Sequence, residues 1–267
     1  MPDPVKVLYC AIPPLAWAWD NGGSIVCREH LQRLSAIDGS DLHVCTIGPK
    51  QWSPAAREIV KNFSAEYHPI EFPADNQDLN PPFWLLGRRW PFIFEKLALD
   101  KAQTDDDFAG LLARVEPDIV VVDYLLTALF VPSLFKSSAR IITITMNPEA
   151  QLFGQSRRQN RIDAQSSNSM IAEARFKRFE REVYKRSDAV VAFAAGDLPR
   201  NMKTGAIAVC IEPALNEQVE CWQPTENNHL FFVGNVAHYP NYLAVQWLAE
   251  EFAPELRKST PERCRSR

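Results

Sequence analysis

The sequence predicts an α/β fold in which a parallel sheet carries helices on both faces. Three observations point there. Short apolar, β-branched runs recur along the chain, most of them read as apolar throughout, and stretches with helical spacing separate them. Strands that are apolar on both faces are buried on both, as in a parallel sheet covered by crossover helices. Alternation of strand and helix is the pattern of a doubly wound, Rossmann-like domain.

The predicted strands are Val5–Ile12, Leu42–Ile47, a weaker Tyr67–Phe72, Ile119–Val122, Ile141–Met146, Ala189–Phe193, Ile207–Ile211 and Leu230–Val233. Between them, Ile25–Ser35 sets Cys27, Leu31 and Leu34 on one helical face. Asp105–Val115 follows Thr104 as a candidate N-cap. Its opening acids Asp105, Asp106 and Asp107 complement a helix dipole better than they make a metal motif. Ile171–Arg186 is a longer amphipathic helix, and Pro240–Lys258 carries Val245, Leu248, Phe252 and Leu256 on one stripe. Pro254 is expected to bend the last turn of that helix. The longest apolar run, Ile119 to Phe135, contains Asp123 and Pro132 and reads as a buried strand and a helix, not a membrane span.

Composition sets bounds on function. The chain has 267 residues, 46% hydrophobic and 23% charged, enough for one large domain or two small ones. A net charge of −4 argues against a nucleic-acid binder. Cys10, Cys27, Cys45, Cys210, Cys221 and Cys264 form no CxxC pair, and His30, His43, His68, His229 and His238 share no ligand or triad spacing. No metal site is therefore predicted. The opening Met-Pro-Asp-Pro-Val-Lys is no signal peptide, which points to a reducing cytoplasm.

The expected organisation is a Rossmann-like domain over residues 1–220, a polar linker at 221–228, one strand and one helix at 229–258, and an unstructured tail at 259–267. Units below roughly 40 residues seldom support a core of their own, so the second domain is expected to be truncated.

In a doubly wound sheet, ligands bind outside the carboxyl ends of the strands. Trp17, Trp19, Asp20, Asp123, Tyr124, Asn147, Glu149, Gly196, Asp197 and Pro213 are expected there. The Asn21-Gly22-Gly23-Ser24 turn lets backbone N–H groups approach a ligand at a helix N-terminus, which favours anions. It is not GxGxxG, and Asp41 precedes the second strand when a ribose-binding acid should end it, so a dinucleotide site is disfavoured.

The later segments carry a resemblance. Phe176-Lys-Arg-Phe-Glu180-Arg-Glu-Val-Tyr-Lys-Arg186-Ser-Asp188-Ala-Val-Val-Ala192, followed by Ala195-Gly-Asp197, resembles family-four GT-B glycosyltransferases, with Ala195 where the family usually has serine. Val209-Cys-Ile-Glu-Pro213-Ala-Leu-Asn216 is similar to a further family segment but departs from it at several positions. The match is strongest at Leu230-Phe-Phe-Val-Gly234-Asn, Tyr239-Pro-Asn241 and Ala244-Val-Gln-Trp247, which resemble the opening of the donor domain.

The resemblance implies residues 1–220 as acceptor domain and transfer of a sugar from a nucleotide-sugar donor to a glycan or lipid-linked acceptor. This is chemistry of the EC 2.4 class in polysaccharide biosynthesis, with no cofactor beyond the donor substrate and no metal. Its full-length relatives retain the anomeric configuration. Gly22, Gly23, Asp123 and Asn147 become the candidate acceptor and diphosphate-proximal residues, and Gly234 the donor-proximal one; no catalytic residue is assigned. The family's E-x7-E motif lies further along the donor domain, and the spacings at Glu58/Glu66 and Glu212/Glu220 precede it. A non-catalytic remnant or interaction subunit lacking the donor site is the alternative. Two segments, Phe83–Phe92 and Arg175–Arg186, combine aromatic or apolar residues with basic ones and are candidates for peripheral contact at the inner membrane face.

Overall fold

The computed structural model describes residues 3–12, 22–50, 53–63, 65–72, 103–151, 154, 167–199, 202, 205–211, 231–234 and 239–259. The chain divides into two compact units, Met1–Ala214 and Leu215–Arg267.

The first unit is a Rossmann-like, doubly wound α/β domain. Its strands are β1 (Val5–Ala11), β2 (Ser40–Pro49), β3 (Glu66–Phe72), β4 (Ile119–Asp123), β5 (Arg140–Thr145), β6 (Ala189–Ala192) and β7 (Ile207–Cys210). They form one seven-stranded sheet in the order β3-β2-β1-β4-β5-β6-β7, and every neighbouring pair is parallel. The helices are α1 (Gly22–Ser35), α2 (Ser53–Lys61), α3 (residues 103–115), a short α4 (Thr127–Phe130) and α5 (Ser167–Arg186), with a 3-10 turn at Pro132–Lys136. The strand expectations in this unit hold within a residue or two. Helix α2 has no counterpart in the sequence reading; Ser53, Ala56 and Val60 mark its inner face.

Alternation along each strand sorts the core into two layers. Leu8 and Cys10 of β1 face one side, with Cys45 and Ile47 of β2 and Val120 and Val122 of β4, beneath Phe108 and Leu111 of α3 and Val183 of α5. Val7, Tyr9 and Ala11 face the other, with Val44 and Val121, beneath Cys27 and Leu31 of α1 and Ala56 and Val60 of α2. Helix α3 already includes Gln103, so the buried Thr104 lies inside it and is not its N-cap. Asp105 has a packing role: its Oδ1 accepts the Ser133 N–H at 2.7 Å.

Two aspartates pin strand register at the amino edge. Asp118 Oδ2 accepts the Lys6 N–H at 2.9 Å, and its carbonyl accepts the Arg140 N–H at 2.9 Å. Asp188 Oδ2 likewise accepts the Ile141 N–H at 2.9 Å, while its carbonyl accepts the Ile207 N–H at 3.0 Å. Each carboxylate satisfies a backbone donor at a strand start that would otherwise lack a partner.

The second unit contains α6 (Tyr239–Trp247), a π turn at Leu248–Phe252 and α7 (Ala253–Ser259). Pro254 explains the π turn. It has no N–H, and its ring collides with the carbonyl four residues back. The ladder widens ahead of it, and the Ala253 N–H donates to the Leu248 carbonyl. The predicted strand Leu230–Val233 is not one over 231–233, where Phe231 is 84% and Val233 95% exposed. No strand occurs among the described residues of this unit, and an unpaired strand leaves its backbone groups without partners.

Phe108 is fully buried between α3 and the sheet. Phe108→Ala is expected to cost about 3–5 kcal/mol, read as a lower urea midpoint at unchanged m-value; a loss under about 1 kcal/mol would contradict this packing.

Candidate functional site

Strand order reverses between β1 and β4: β2 and β3 continue to one side of β1, while β5 to β7 continue beyond β4. Such a switch point opens a crevice at the carboxyl ends of the two central strands. Asp123 is the last residue of β4 and pairs in register with Ala11, the last residue of β1. The sequence alone places an acid there, and the fold gathers donors around it.

Asp123 is fully buried. Its Oδ2 accepts a short hydrogen bond from the Tyr9 hydroxyl and faces His30 Nδ1 at 2.9 Å. Tyr9 points from β1 on the same sheet face, and α1 brings His30 and, three residues earlier, Cys27. Cys27 also hydrogen-bonds Asp123. Burial, then the neighbouring carboxylate, pushes both the Tyr9 hydroxyl and the Cys27 thiol well above their usual pKa values, so both remain donors. Asp123 Oδ1 has no hydrogen-bond partner among the described residues.

Burying a carboxylate is costly unless donors surround it. Here they come from two elements, and His30 is the one whose ring keeps some exposure, 17%. With the carboxylate as acceptor, His30 donates from Nδ1, which leaves the Nε2 lone pair of the neutral ring for a third group. The ring also packs against Phe193, centroids 5.9 Å apart. A histidine oriented by a buried acid at the mouth of a crevice can accept a proton from a hydroxyl.

A second polar cluster follows directly. Tyr124, at φ 71°, occupies the left-handed region, which costs a non-glycine residue about 1–2 kcal/mol. Its hydroxyl bonds Glu149, which is 6% exposed and also receives the Asn147 side chain. Burial raises Glu149 to about 7, and neighbouring Glu180 of α5 adds to the effect. Glu180 is itself raised by burial and accepts the Tyr184 hydroxyl at 3.3 Å.

The candidate residues thus separate. Gly22 and Gly23 are the first two residues of α1, where the sequence reading had a loop, so their N–H groups belong to the unpaired first turn. Asp123 joins Tyr9, Cys27 and His30, while Asn147 joins Glu149. Gly234 lies in the second unit, where a Cβ would come within 2.8 Å of Asn241 Nδ2. Its glycine is thereby explained by packing against the Pro-Asn segment. Trp17, Trp19, Asp20 and Pro213 lie outside the described residues.

The sequence reading missed Tyr9, His30 and Glu180. Their one signal was a histidine three residues from the core residue Cys27, uninterpretable until β1 and β4 were known to adjoin. A separate concavity of about 1080 Å³ lies at the amino ends of β1, β4 and β5, lined by Asp3, Asp105, Asp118 and Arg140 among others. It sits at the edge opposite the switch-point crevice.

The Glu149 shift predicts a pH dependence. Its folded pKa, about 7, exceeds the ordinary 4.5, so its stability contribution is full below 4.5 and is lost as pH rises through 7. Glu149→Gln is expected to flatten Tm between pH 5 and 8 and to raise it by roughly 5 °C at pH 8. An unaltered pH profile in thermal unfolding would mean the carboxyl is solvated.

No family model and no curated protein sequence matches the chain. Solved structures similar to it include a UDP-glucosyltransferase from Polygonum tinctorium capable of glucosylating indoxyl, at 10% identity and TM-score 0.49 over 84% of this chain and 56% of that one. Sucrose-phosphate synthase from Thermosynechococcus elongatus is similar at 13% identity and TM-score 0.45, over 78% of this chain and 48% of that one. A UDP-N-acetylglucosamine 2-epimerase is similar at 12% identity and TM-score 0.45, over 77% and 47%. The chain spans about half the length of each of these proteins. At such identities and TM-scores the likeness does not extend to function.

Proposed function

We propose that this chain supplies the acceptor-side half of a GT-B glycosyltransferase, in which His30, oriented by Asp123, takes the proton from the acceptor hydroxyl. The observation that carries this is the 2.9 Å contact between His30 Nδ1 and a fully buried Asp123 at the β1/β4 switch point. The order and content of the segments from Phe176 to Trp247 support the GT-B part of this reading.

The chemistry follows from charge. As the acceptor oxygen attacks the anomeric carbon of a nucleotide-sugar, its proton must leave and the nucleotide diphosphate departs with negative charge. His30 Nε2 is suited to the first task, contributing about 10²–10⁴-fold as general bases do. Buried Asp123 stabilises the imidazolium that forms. The first turn of α1, begun by Gly22 and Gly23, offers unpaired N–H groups to the diphosphate. A base at the acceptor oxygen serves a single displacement, which inverts the anomeric centre, whereas the family the sequence resembles retains it. The acceptor is read as a glycan or lipid-linked hydroxyl; Asn147 is a candidate contact to it and Gly234 a donor-side residue.

Contact with a membrane surface, where it occurs, is electrostatic. Phe176, Val183 and Tyr184 of α5 are buried, which leaves Arg175, Lys177, Arg178, Arg181, Lys185 and Arg186 as its exposed basic face. The segment Phe83–Phe92 lies outside the described residues. No helix among the described residues is long and apolar enough to cross a membrane.

The test is sugar transfer by the purified chain from a panel of nucleotide-sugars to hydroxylated acceptors, with product configuration read by NMR. His30→Gln is expected to lower kcat by about 10²–10⁴-fold with nucleotide-sugar binding and circular dichroism unchanged, and Asp123→Asn to act in the same direction. Full activity in His30→Gln would refute the base assignment. Wild-type protein that neither transfers sugar nor binds any nucleotide-sugar would favour an interaction subunit.

A further inference from the structure

A histidine pair lies away from the switch-point crevice, at the amino ends of β2 and β3. His43 pairs in register with Glu66, and His68 with Cys45, so parity puts His43, Glu66 and His68 on the sheet face covered by α3. His43 Nδ1 lies 3.0 Å from His68 Nε2 and 3.5 Å from Glu66 Oε2, and His68 Nε2 lies 3.8 Å from Glu66 Oε1. The rings are 20° from parallel with centroids 5.3 Å apart, too far for face contact, so they meet edge to edge through those nitrogens.

Such a pair is satisfied by one shared proton, yet the surroundings fit another occupant better. Zinc holds nitrogen and oxygen donors at about 2.0–2.2 Å, which sets tetrahedral donors about 3.3 Å from each other. The three observed separations bracket that spacing. His43 is 8% exposed, and its other nitrogen, Nε2, is buried without a hydrogen-bond partner. The nearest acid to Nε2 is Asp41, its Oδ2 3.4 Å away, two residues earlier on the same strand. A carboxylate behind a ligating histidine is the usual outer partner of a metal-bound imidazole. Cys45 shares this face but hydrogen-bonds Cys10. Glu66, 68% exposed, leaves the remaining coordination positions open to water.

We propose that His43, Glu66 and His68 bind one divalent first-row cation, zinc foremost, with Asp41 orienting His43, and that the ion clamps edge strand β3 to β2. Two imidazoles and a carboxylate also suit iron(II) or nickel(II), but not magnesium or calcium, which prefer oxygen. The site stands apart from the proposed glycosyl transfer and survives the failure of that reading.

Titration of the apo protein with zinc chloride against a chromophoric chelator tests it, with cobalt(II) absorption as a second readout. One equivalent should bind, Tm should rise on loading and fall back on chelation, and the cobalt spectrum should lack thiolate-to-metal charge transfer. His68→Ala and Glu66→Gln, both near the sheet edge, should abolish or strongly weaken binding with circular dichroism intact. Asp41→Asn should weaken it about 10–100-fold. Wild-type affinity no better than that of His68→Ala, or a cobalt spectrum with thiolate bands, would overturn the proposal. Those two edge variants decide the matter even if a change at buried His43 disturbs folding.

Discussion

A carboxyl group sealed inside a protein needs hydrogen-bond donors around it, and the placement of Asp123 imposes that requirement on the centre of this fold. Tyr9 from one strand and Cys27 and His30 from one helix converge on it. Each donor belongs to a different level of the architecture: a neighbouring strand, the sheet-facing stripe of a helix, and the rim of that stripe. Removing any one leaves a buried acceptor less satisfied, which costs more than the lost contact alone. The same demand that fixes β1, α1 and β4 relative to each other therefore also fixes the imidazole at the mouth of the crevice. Structure and candidate chemistry share one electrostatic cause.

Apolar patterning carried most of the fold. Runs such as Ile119-Val-Val-Val122 and Ile141-Ile-Thr-Ile144 are apolar but for Thr143 because both their faces are covered, and that signal is local. Helix α2 escaped because it is only nine residues long and begins on Ser53-Pro, a turn-like pair, although Ser53, Ala56 and Val60 are buried and Ile59 packs beside them. The expected strand at Leu230–Val233 failed for the converse reason: its residues are strand-like, but a strand is completed only by a neighbour.

The site was legible only in part. Asp123 could be placed at a strand end from sequence, because the position of an acid after four apolar residues is a local fact. His30 could not, since 93 residues separate it from its partner. His43 and His68 show the same limit at shorter range: 25 residues apart, they meet only because parallel pairing of β2 with β3 sets the register. Spacing rules detect ligands on one helix or one loop. They are blind to ligands that a sheet brings together.

The left-handed backbone at Tyr124 has a mechanical consequence. It bends the chain immediately after Asp123, and its ring hydroxyl bonds Glu149 while its own amide is joined to the aspartate carbonyl. The two acidic clusters therefore meet on neighbouring residues, whose Cα atoms are held apart at a fixed distance by one planar peptide. An exchange of Tyr124 for glycine would relieve the backbone at that junction while depriving Glu149 of its phenolic partner, so one position serves both clusters.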